Sequence, residues 1–333
     1  MQPQDVVKIC YQAAFGAEHL LADISAAKRY FDAEFDATEP RKGQLFERIS
    51  NDVARVDIGV WKSTGMPKEW FFNMFLGTAN LPRGGKAVLD QHLLEAEECF
   101  AKIDPDFSFD EWHRFLEKYK ESGMPAVHHS EQYRNSEKPA YRIVNCGFLQ
   151  VLGILEKLNC INKEQDAKVV SIDGRAASGK TTLANILCSV LNASVVRMDD
   201  FFLPAELRTS QRLAEVGGNI HYERFCDQVV PFIGKKESFS YDVFDCGSMS
   251  ICGRTLVEES QWRIVEGSYS HHPNFGDYAD LRIFCSVSPE EQMKRIIVRN
   301  GEKMAEMFKS RWIPMEEVYF DAFDICEKAD MII

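Results

Sequence analysis

The chain has 333 residues, of which 45% are hydrophobic and 27% are charged, and its formal net charge is −12. This length suggests two domains, and the composition excludes collagen and low-complexity disorder. The charge is shared equally between the halves before and after residue 166, so we expect no nucleic-acid partner, although a local site can still bind a small anion.

Residues 1–160 are predicted to form a mostly α-helical domain, because apolar residues recur there at helical spacing. The helical stretches are 5–31, 44–62, 86–103, 109–120 and 141–158. The last of these is apolar on most sides, which predicts a buried helix that packs one domain against the other. The polar stretch 159–167 that follows it is the predicted domain boundary.

Residues 167–333 show a different pattern, in which short β-branched runs alternate with helical stretches. The runs are 168–173, 194–198, 263–265, 281–287 and 329–333. Helices are predicted at 180–191 and 290–299. Strands that alternate with helices form a parallel sheet covered on both faces, so the sequence predicts an α/β domain here.

The ten cysteines are scattered singly and include no C-x-x-C pair. This pattern favours free thiols in a reducing cytosol over a disulfide framework or a zinc site. The N-terminal sequence lacks the basic start and apolar core of a signal peptide, and no stretch approaches the roughly 18 apolar residues of a membrane helix. We therefore expect a cytoplasmic protein without a membrane partner.

The strongest motif is GRAASGKT at 174–181, which fits G-x-x-x-x-G-K-[ST] at every fixed position. Its glycines let the backbone wrap a phosphate, whose charge the N–H groups and the following helix N-terminus balance. Lys180 would reach the β- and γ-phosphates, and the Thr181 hydroxyl would ligate Mg²⁺. The predicted nucleotide contacts are Gly174, Arg175, Ala176, Ala177, Ser178, Gly179, Lys180, Thr181 and Thr182.

Two acidic residues follow predicted strands of the same domain. Asp199 comes after the run 194–198, and a carboxylate at the C-terminal end of a parallel strand faces the ligand crevice. It can there accept a proton from an acceptor hydroxyl, as kinase chemistry requires. Glu266 follows the run 263–265 and can hold Mg²⁺ directly or through water. The alternative interpretations are a solvated turn carboxylate for Asp199 and an ordinary strand-end acid for Glu266.

A basic helix follows the fourth run. Arg295 and Arg299 are four residues apart, so they share one face of the helix predicted at 290–299. A basic lid closing over the transferring phosphoryl group would offset its developing charge. The competing interpretation is a solvated basic surface.

Four segments together resemble the uridine kinase/phosphoribulokinase-like group of small-molecule kinases. They are GRAASGKTT, MDDFF, VEGSY and RIIVRNG, the last followed by Trp312-Ile313-Pro314. The resemblance covers about residues 168–333 and implies a five-stranded parallel P-loop sheet. It implies that Asp199 is the base, that Glu266 serves the metal and that Arg299 contacts phosphates. The implied activity is ATP-dependent and Mg²⁺-dependent phosphorylation of a hydroxyl group on a small metabolite.

The resemblance is incomplete where the acceptor would bind. Nucleoside kinases of the group carry an N-x-D-H-P segment, and here His221 stands where the Asp would be. Tyr241-Asp242 matches the group, but the His that follows is replaced by Cys246. Nucleosides, sugar phosphates, pantothenate-like alcohols and glycerate all stay open as acceptors. The candidate acceptor contacts are Asp200, His221, Tyr222, Tyr241 and Arg295.

Two clusters in the N-terminal half differ from a plain helix surface. One is QAAFGAEH at 12–19, and the other is HHSEQYR at 128–134, followed by PAYR at 139–142. Histidines, hydroxyls and arginines near a proline-containing loop can form a second anion or substrate pocket. The alternative is that each His is a satisfied structural residue. The His-His pair is not a metal signature by itself, since no H-E-x-x-H pattern accompanies it.

Two alternatives to a simple kinase remain. One is a nucleotide-dependent switch that gates the helical domain, although the guanine-reading N-K-x-D motif is absent and the nearest segment, 162–165, ends in Gln. The other is a bifunctional protein, in which the kinase is fused to a second metabolite-binding enzyme domain. The acceptor stays open, and so does assembly into a homo-oligomer.

Overall fold

The computed structural model describes residues 2–16, 23–79, 84–103, 108–161 and 166–333. Glu18 and His19 of the first polar cluster, and residues 162–165 of the predicted boundary, lie outside the described residues. The chain divides into two compact units, Met1–Asn159 and Cys160–Ile333. Within the described ranges, no helix has the length and apolar character needed to cross a membrane.

The first unit combines nine helices, counted over its described residues, with a small antiparallel sheet. The helices are Pro3–Phe15 (α1), Ile24–Ala37 (α2), Ile58–Thr64 (α3), Lys68–Ala79 (α4), Lys86–Ile103 (α5), Phe109–Glu121 (α6), Glu131–Glu137 (α7), Cys146–Leu149 (α8) and Leu152–Asn159 (α9). The strands are Phe46–Arg48 (β1), Val53–Asp57 (β2) and Tyr141–Asn145 (β3), in the order β1-β2-β3.

The two helices α5 and α6 confirm the predictions at 86–103 and 109–120. The single helix predicted at 5–31 is wrong, because α1 ends at Phe15 and Gly16 follows with a φ of 60°. The helix predicted at 44–62 is also wrong, since β1 and β2 lie within that stretch and it becomes helical only with α3, at Ile58.

The stretch 141–158 starts with β3 and only then becomes helical, so its prediction as one helix is wrong. The central residues of β2 and β3 are buried, and neither strand shows the alternation of a half-exposed sheet. A short apolar run that is buried throughout cannot be distinguished from a buried helix by periodicity, which is the physical reason for both errors.

The core of the first unit includes a cluster that holds α1 against α5 and α6. Its buried members are Val6, Val7, Cys10, Ala14, Leu89, Leu93, Trp112 and Tyr119. Burial of apolar surface stabilises the folded state by about 25 cal/mol per Å². Together these side chains fix one face of α1.

The second unit is built on a parallel sheet. Its strands are Lys168–Gly174 (β4), Ser194–Arg197 (β5), Phe239–Asp245 (β6), Ser250–Val257 (β7), Trp262–Glu266 (β8), Leu281–Cys285 (β9) and Met331–Ile332 (β10). Its α-helices are Lys180–Leu191 (α10), Ser210–Ala214 (α11), Tyr222–Gln228 (α12), Val230–Ile233 (α13), Pro289–Asn300 (α14), Glu302–Met307 (α15) and Ile313–Phe323 (α16).

Five of these strands form one sheet in the order β10-β9-β4-β8-β5, and every pairing in it is parallel. This confirms the predicted five-stranded parallel sheet. The antiparallel hairpin of β6 and β7 was not predicted. Helix α10 packs against β4, β5 and β8.

Helices cover both faces of this sheet. Val169 and Val265 share a core cluster with Phe225 of α12 and Tyr319 of α16. Neighbouring residues along a strand point to opposite faces. Glu266 therefore points away from that cluster, and its carboxylate contacts Thr181 at the start of α10.

Gly174 fits the end of β4 closely against the neighbouring strand. Its φ is 134°, and a Cβ atom there would lie 2.1 Å from the carbonyl oxygen of Cys285. Only glycine adopts this backbone without strain. The phosphate loop therefore leaves the sheet in contact with the end of β9.

Candidate active site

The phosphate loop joins β4 to α10, and α10 begins at Lys180. Gly179 stands at the N-cap with a φ of 102°. A residue without a side chain leaves the first N–H groups of the helix to an outside acceptor. Together with the helix dipole, these groups favour a negatively charged ligand such as a phosphate.

The Lys180 side chain folds back over the loop. Its Nζ donates to the carbonyl oxygens of Gly174 at 2.7 Å and Arg175 at 2.9 Å, and to the Ser268 hydroxyl at 3.2 Å. These contacts hold the ammonium group against the loop backbone, where its positive charge can interact with a bound phosphate.

A buried carboxylate also holds the loop. Glu316 of α16 accepts the N–H of Ala176 at 2.9 Å and the hydroxyl of Ser268 at 2.7 Å. Burial raises the pKa of Glu316, and the charge of Lys180 opposes that rise. Sequence reasoning missed both Glu316 and Ser268. Ser268 lies in the VEGSY segment, whereas no motif marks Glu316.

Glu266 links the loop helix to the neighbouring strand. The Thr181 hydroxyl donates to Glu266 Oε2 at 3.2 Å, and Arg197 Nη1 donates to Glu266 Oε1 at 2.7 Å. Glu266 is only 6% exposed. Burial raises its pKa, Arg197 counteracts the rise, and the charge of Asp199 adds to it. Arg197 is a further contact that the sequence did not reveal.

Gly267 brings the end of β8 against the turn Met198–Phe201. Its φ is 133°, and a Cβ atom there would lie 2.8 Å from the Cβ of Met198. The Glu-Gly pair therefore has two functions: Glu266 faces Thr181, while Gly267 allows the turn that carries Asp199 to approach.

Two aspartates in this turn occupy different environments. Asp199 is exposed, and its carboxylate makes no hydrogen bond or ion pair with the described part of the chain. Asp200 is half-buried and accepts the Tyr241 hydroxyl at 2.8 Å. Burial raises the pKa of Asp200, and the Tyr241 hydrogen bond counteracts this. The accessible carboxylate of the pair is thus Asp199.

A cavity of about 370 Å³ lies in the same unit. It is lined by Leu203, Leu207, Thr209, Gln211, Arg212, Glu215, His221 and Glu223. Of the predicted acceptor contacts, His221 lines it directly, and burial lowers the pKa of its imidazole. Tyr222 lies against Arg212, whose guanidinium sits 3.6 Å from the ring centre. Tyr241 is buried and holds Asp200.

The two arginines of the predicted lid differ in their contacts. Arg295 Nη1 donates to the Ala177 carbonyl of the phosphate loop at 3.3 Å, and its Nε donates to Glu291. Arg299 is exposed and donates to Asn300 Oδ1 at 2.8 Å. The structure therefore brings Arg295 to the loop, while the contact found for Arg299 is with its chain neighbour.

The donor set of Thr181 and Glu266 suits Mg²⁺ rather than zinc. Among the described residues, no group of three or more His, Cys, Asp or Glu is arranged to hold a metal ion. Mg²⁺ needs no such group, because it is commonly held by one or two carboxylates together with substrate phosphates and water. The Thr181 hydroxyl and the Glu266 carboxylate, whose oxygens are 3.2 Å apart, fit this mode of Mg²⁺ binding.

The chain matches no protein-family model and no curated protein. A solved structure described as a possible uridine kinase from Bacillus stearothermophilus is 19% identical, with a TM-score of 0.44, over 55% of this chain and 97% of that one. A candidate fructose transport system kinase from a Silicibacter species is 21% identical, with a TM-score of 0.46, over 56% of this chain and 98% of that one. D-glycerate 3-kinase from Cryptococcus neoformans is 13% identical, with a TM-score of 0.34, over 58% of this chain and 90% of that one. The P-loop fold of the second unit rests on its own sheet order and loop geometry.

Proposed function

We propose that the second unit is an ATP-dependent kinase that phosphorylates a hydroxyl group of a small metabolite. The observation that carries this proposal is the position of Asp199. It is an exposed carboxylate two residues after Arg197, whose guanidinium donates to Glu266 at 2.7 Å, and Glu266 itself touches Thr181 at the end of the phosphate loop. In this proposal Asp199 is the base and Glu266 the metal-binding acid, and both follow strands of the sheet that carries the phosphate loop.

On the nucleotide side, the loop N–H groups and Lys180 would bind the β- and γ-phosphates. Thr181 and Glu266 would hold Mg²⁺, which neutralises phosphate charge when it is bound. Arg295 extends from α14 to the loop carbonyl of Ala177, and we expect it to approach the transferring group. Preorganised cations of this kind stabilise the charge that develops on the phosphoryl oxygens.

On the acceptor side, Asp199 would take the proton of the hydroxyl group as its oxygen attacks the phosphorus. Asp200 is less suited to this task, because the Tyr241 hydroxyl occupies its carboxylate. The cavity beside Arg212, His221 and Glu223 offers both signs of charge, which favours a small polar acceptor.

A coupled ADP-release assay of the full chain tests this function. Nucleosides, pantothenate, glycerate and sugar phosphates should be offered singly with Mg²⁺ and ATP. We expect one of them to stimulate ADP formation, and Asp199→Asn to cut that rate by orders of magnitude while ATP still binds. Asp321→Asn, which removes an exposed carboxylate of α16, is the matched control and should keep the rate.

Two results would contradict the proposal. Near-normal turnover in Asp199→Asn would remove Asp199 from the mechanism. Phosphate release that no acceptor stimulates would favour the nucleotide switch instead.

A further inference from the structure

Helix α1 of the first unit is buried on two opposite sides. Val6, Cys10 and Ala14 face the apolar core. At 100° per residue, Asp5, Lys8 and Gln12 project from the opposite side of the helix. Asp5 and Gln12 are nevertheless buried, so a second, polar interior lies on that side.

A hydrogen-bond chain fills this polar interior and joins the two clusters that the sequence singled out. Asp5 accepts the Ser130 N–H at 2.9 Å, the Ser130 hydroxyl at 2.7 Å and His129 Nδ1 at 3.2 Å. Because a carboxylate only accepts, Nδ1 carries the imidazole proton. His129 Nε2 therefore accepts from the Tyr141 hydroxyl, at 2.6 Å.

Gln12 continues the chain towards a buried cation. Its Nε2 donates to the Tyr141 oxygen at 3.1 Å, which directs its Oε1 towards Arg55. Arg55 donates to that oxygen through Nε at 3.1 Å and Nη2 at 2.7 Å, and its guanidinium lies 4.6 Å from the Tyr141 ring centre. Each of these contacts orders Arg55, but none supplies a negative charge.

Arg55 is only 6% exposed, yet no carboxylate in the described ranges forms an ion pair with it. Buried charges are normally paired, because removing an ion from water is costly. Glu47 stands opposite Arg55 in the β1–β2 register, but it is exposed and makes no ion pair with any described residue. Nη1 of Arg55 likewise donates to none of the described groups.

Two further cations belong to the same region. Lys8 Nζ donates to the Val127 carbonyl at 3.2 Å, and Arg134 Nε donates to the His129 carbonyl at 3.0 Å. Burial lowers the pKa of Lys8 to about 8, and the charges of Arg55 and Arg134 lower it as well. The charge of Asp5 opposes this effect, but its single negative charge does not balance three cations. Positive charge is thus in excess here.

We propose that Lys8, Arg55 and Arg134 form a binding site for the phosphoryl group of a small metabolite in the first unit. A tetrahedral dianion matches the excess positive charge, and the planar donors of Arg55 suit phosphate oxygens. Gln12, Tyr141 and His129 position Arg55 without contacting the ligand. The site is separate from the phosphate loop and does not depend on the kinase proposal.

Equilibrium dialysis of the full chain with inorganic phosphate tests the site. The Lys180→Ala background weakens binding at the phosphate loop, and any remaining loop binding is common to all variants compared. In that background, adding Arg55→Met or Arg134→Gln should weaken phosphate binding by about tenfold or more, as expected for loss of a charged hydrogen bond. Arg114→Met, at an exposed position on α6, should leave it unchanged.

The same dialysis is repeated with acetate and with chloride at equal ionic strength, because electrostatic screening alone would affect the binding of all anions alike. Unchanged phosphate binding in both Arg variants would overturn the proposal, and tighter binding of acetate would overturn the phosphoryl assignment. If circular dichroism shows that the Arg55→Met chain is unfolded, phosphate binding by Arg134→Gln and Lys8→Gln tests the proposal instead. Both residues are more accessible than Arg55, so we expect these variants to fold.

Discussion

The Thr181 hydroxyl lies 3.2 Å from a carboxylate oxygen of Glu266, although the two residues are 85 positions apart in the chain. Parallel pairing of β4 with β8 explains this proximity, since it places Ile172 beside Glu266 and brings both strand ends to one edge. Arg197 reaches the same carboxylate from β5. The Glu266 carboxylate is therefore contacted by side chains from two other segments, Thr181 of α10 and Arg197 of β5.

Replacing Arg197 should shift the pH dependence of the reaction. Burial raises the pKa of Glu266, and Arg197 lowers it by favouring the carboxylate. In Arg197→Met, the pKa should rise further, so the acidic limb of the kcat/KM profile should move to higher pH. Initial rates from pH 5 to 8 would measure the shift.

The control for Arg197→Met is Arg254→Met, which breaks an exposed ion pair with Asp242 on the hairpin. It should leave the acidic limb in place. An unmoved limb in Arg197→Met would show that a group other than Glu266 governs the profile.

The phosphate loop and the parallel sheet were predictable because their signals are local. The loop motif lies within eight consecutive residues, and each sheet strand is a short β-branched run. Arg197, Ser268 and Glu316 gave no comparable signal as site residues. Ser268 lies 48 positions from Glu316, and only the packed fold joins them.

Predictions in the first unit failed for a related reason. The strands β2 and β3 are short and mostly buried, so their hydrophobic pattern is compatible with a helix. Their pairing with each other, Arg55 beside Ile143, is a long-range contact. The polar clusters were visible in the sequence, but their connection through Tyr141 and Gln12 was not.

Gly267→Ala should impair both stability and turnover. The new Cβ would meet Met198 at 2.8 Å in a backbone with a φ of 133°, so the turn that carries Asp199 must shift. Strain at such a position costs about 1–3 kcal/mol. We expect a lower midpoint of thermal unfolding and a kcat reduced at least tenfold, measured on the same preparation.

Gly276→Ala is the control for backbone strain without displacement of a neighbouring segment. Gly276 also has a positive φ, 68°, but a Cβ there meets no atom within 4 Å. This variant should lose some stability and keep its kcat. Equal losses of kcat in both glycine variants would mean that the position of the Met198–Phe201 turn does not matter.

Arg295→Gln should lower kcat more than Arg299→Gln does. Arg295 contacts the loop carbonyl of Ala177, whereas Arg299 contacts Asn300 at the end of its own helix. The two substitutions are chemically identical and lie on one helix, so each serves as the control for the other. Steady-state kinetics at saturating ATP give the comparison. A larger loss in Arg299→Gln would instead support the phosphate contact that the family resemblance implies.

His129 should make the first unit sensitive to mild acid. Burial lowers the pKa of His129 to about 4, against an ordinary value of 6.5, and the charge of Lys8 acts in the same direction. Between these values the unfolded chain binds a proton that the folded chain does not. The free energy of unfolding should therefore fall as the pH drops from about 6.5 towards 4, by up to about 3 kcal/mol.

Urea unfolding of the full chain at pH 7, 6 and 5 measures this loss. His129→Gln should flatten the pH dependence, because it removes the group that protonates only on unfolding. His128→Gln is the matched control: the His128 side chain is exposed, so the pH dependence should stay as in the original chain. An equally steep loss in His129→Gln would assign the acid sensitivity to other groups and would argue against a neutral, buried imidazole between Asp5 and Tyr141.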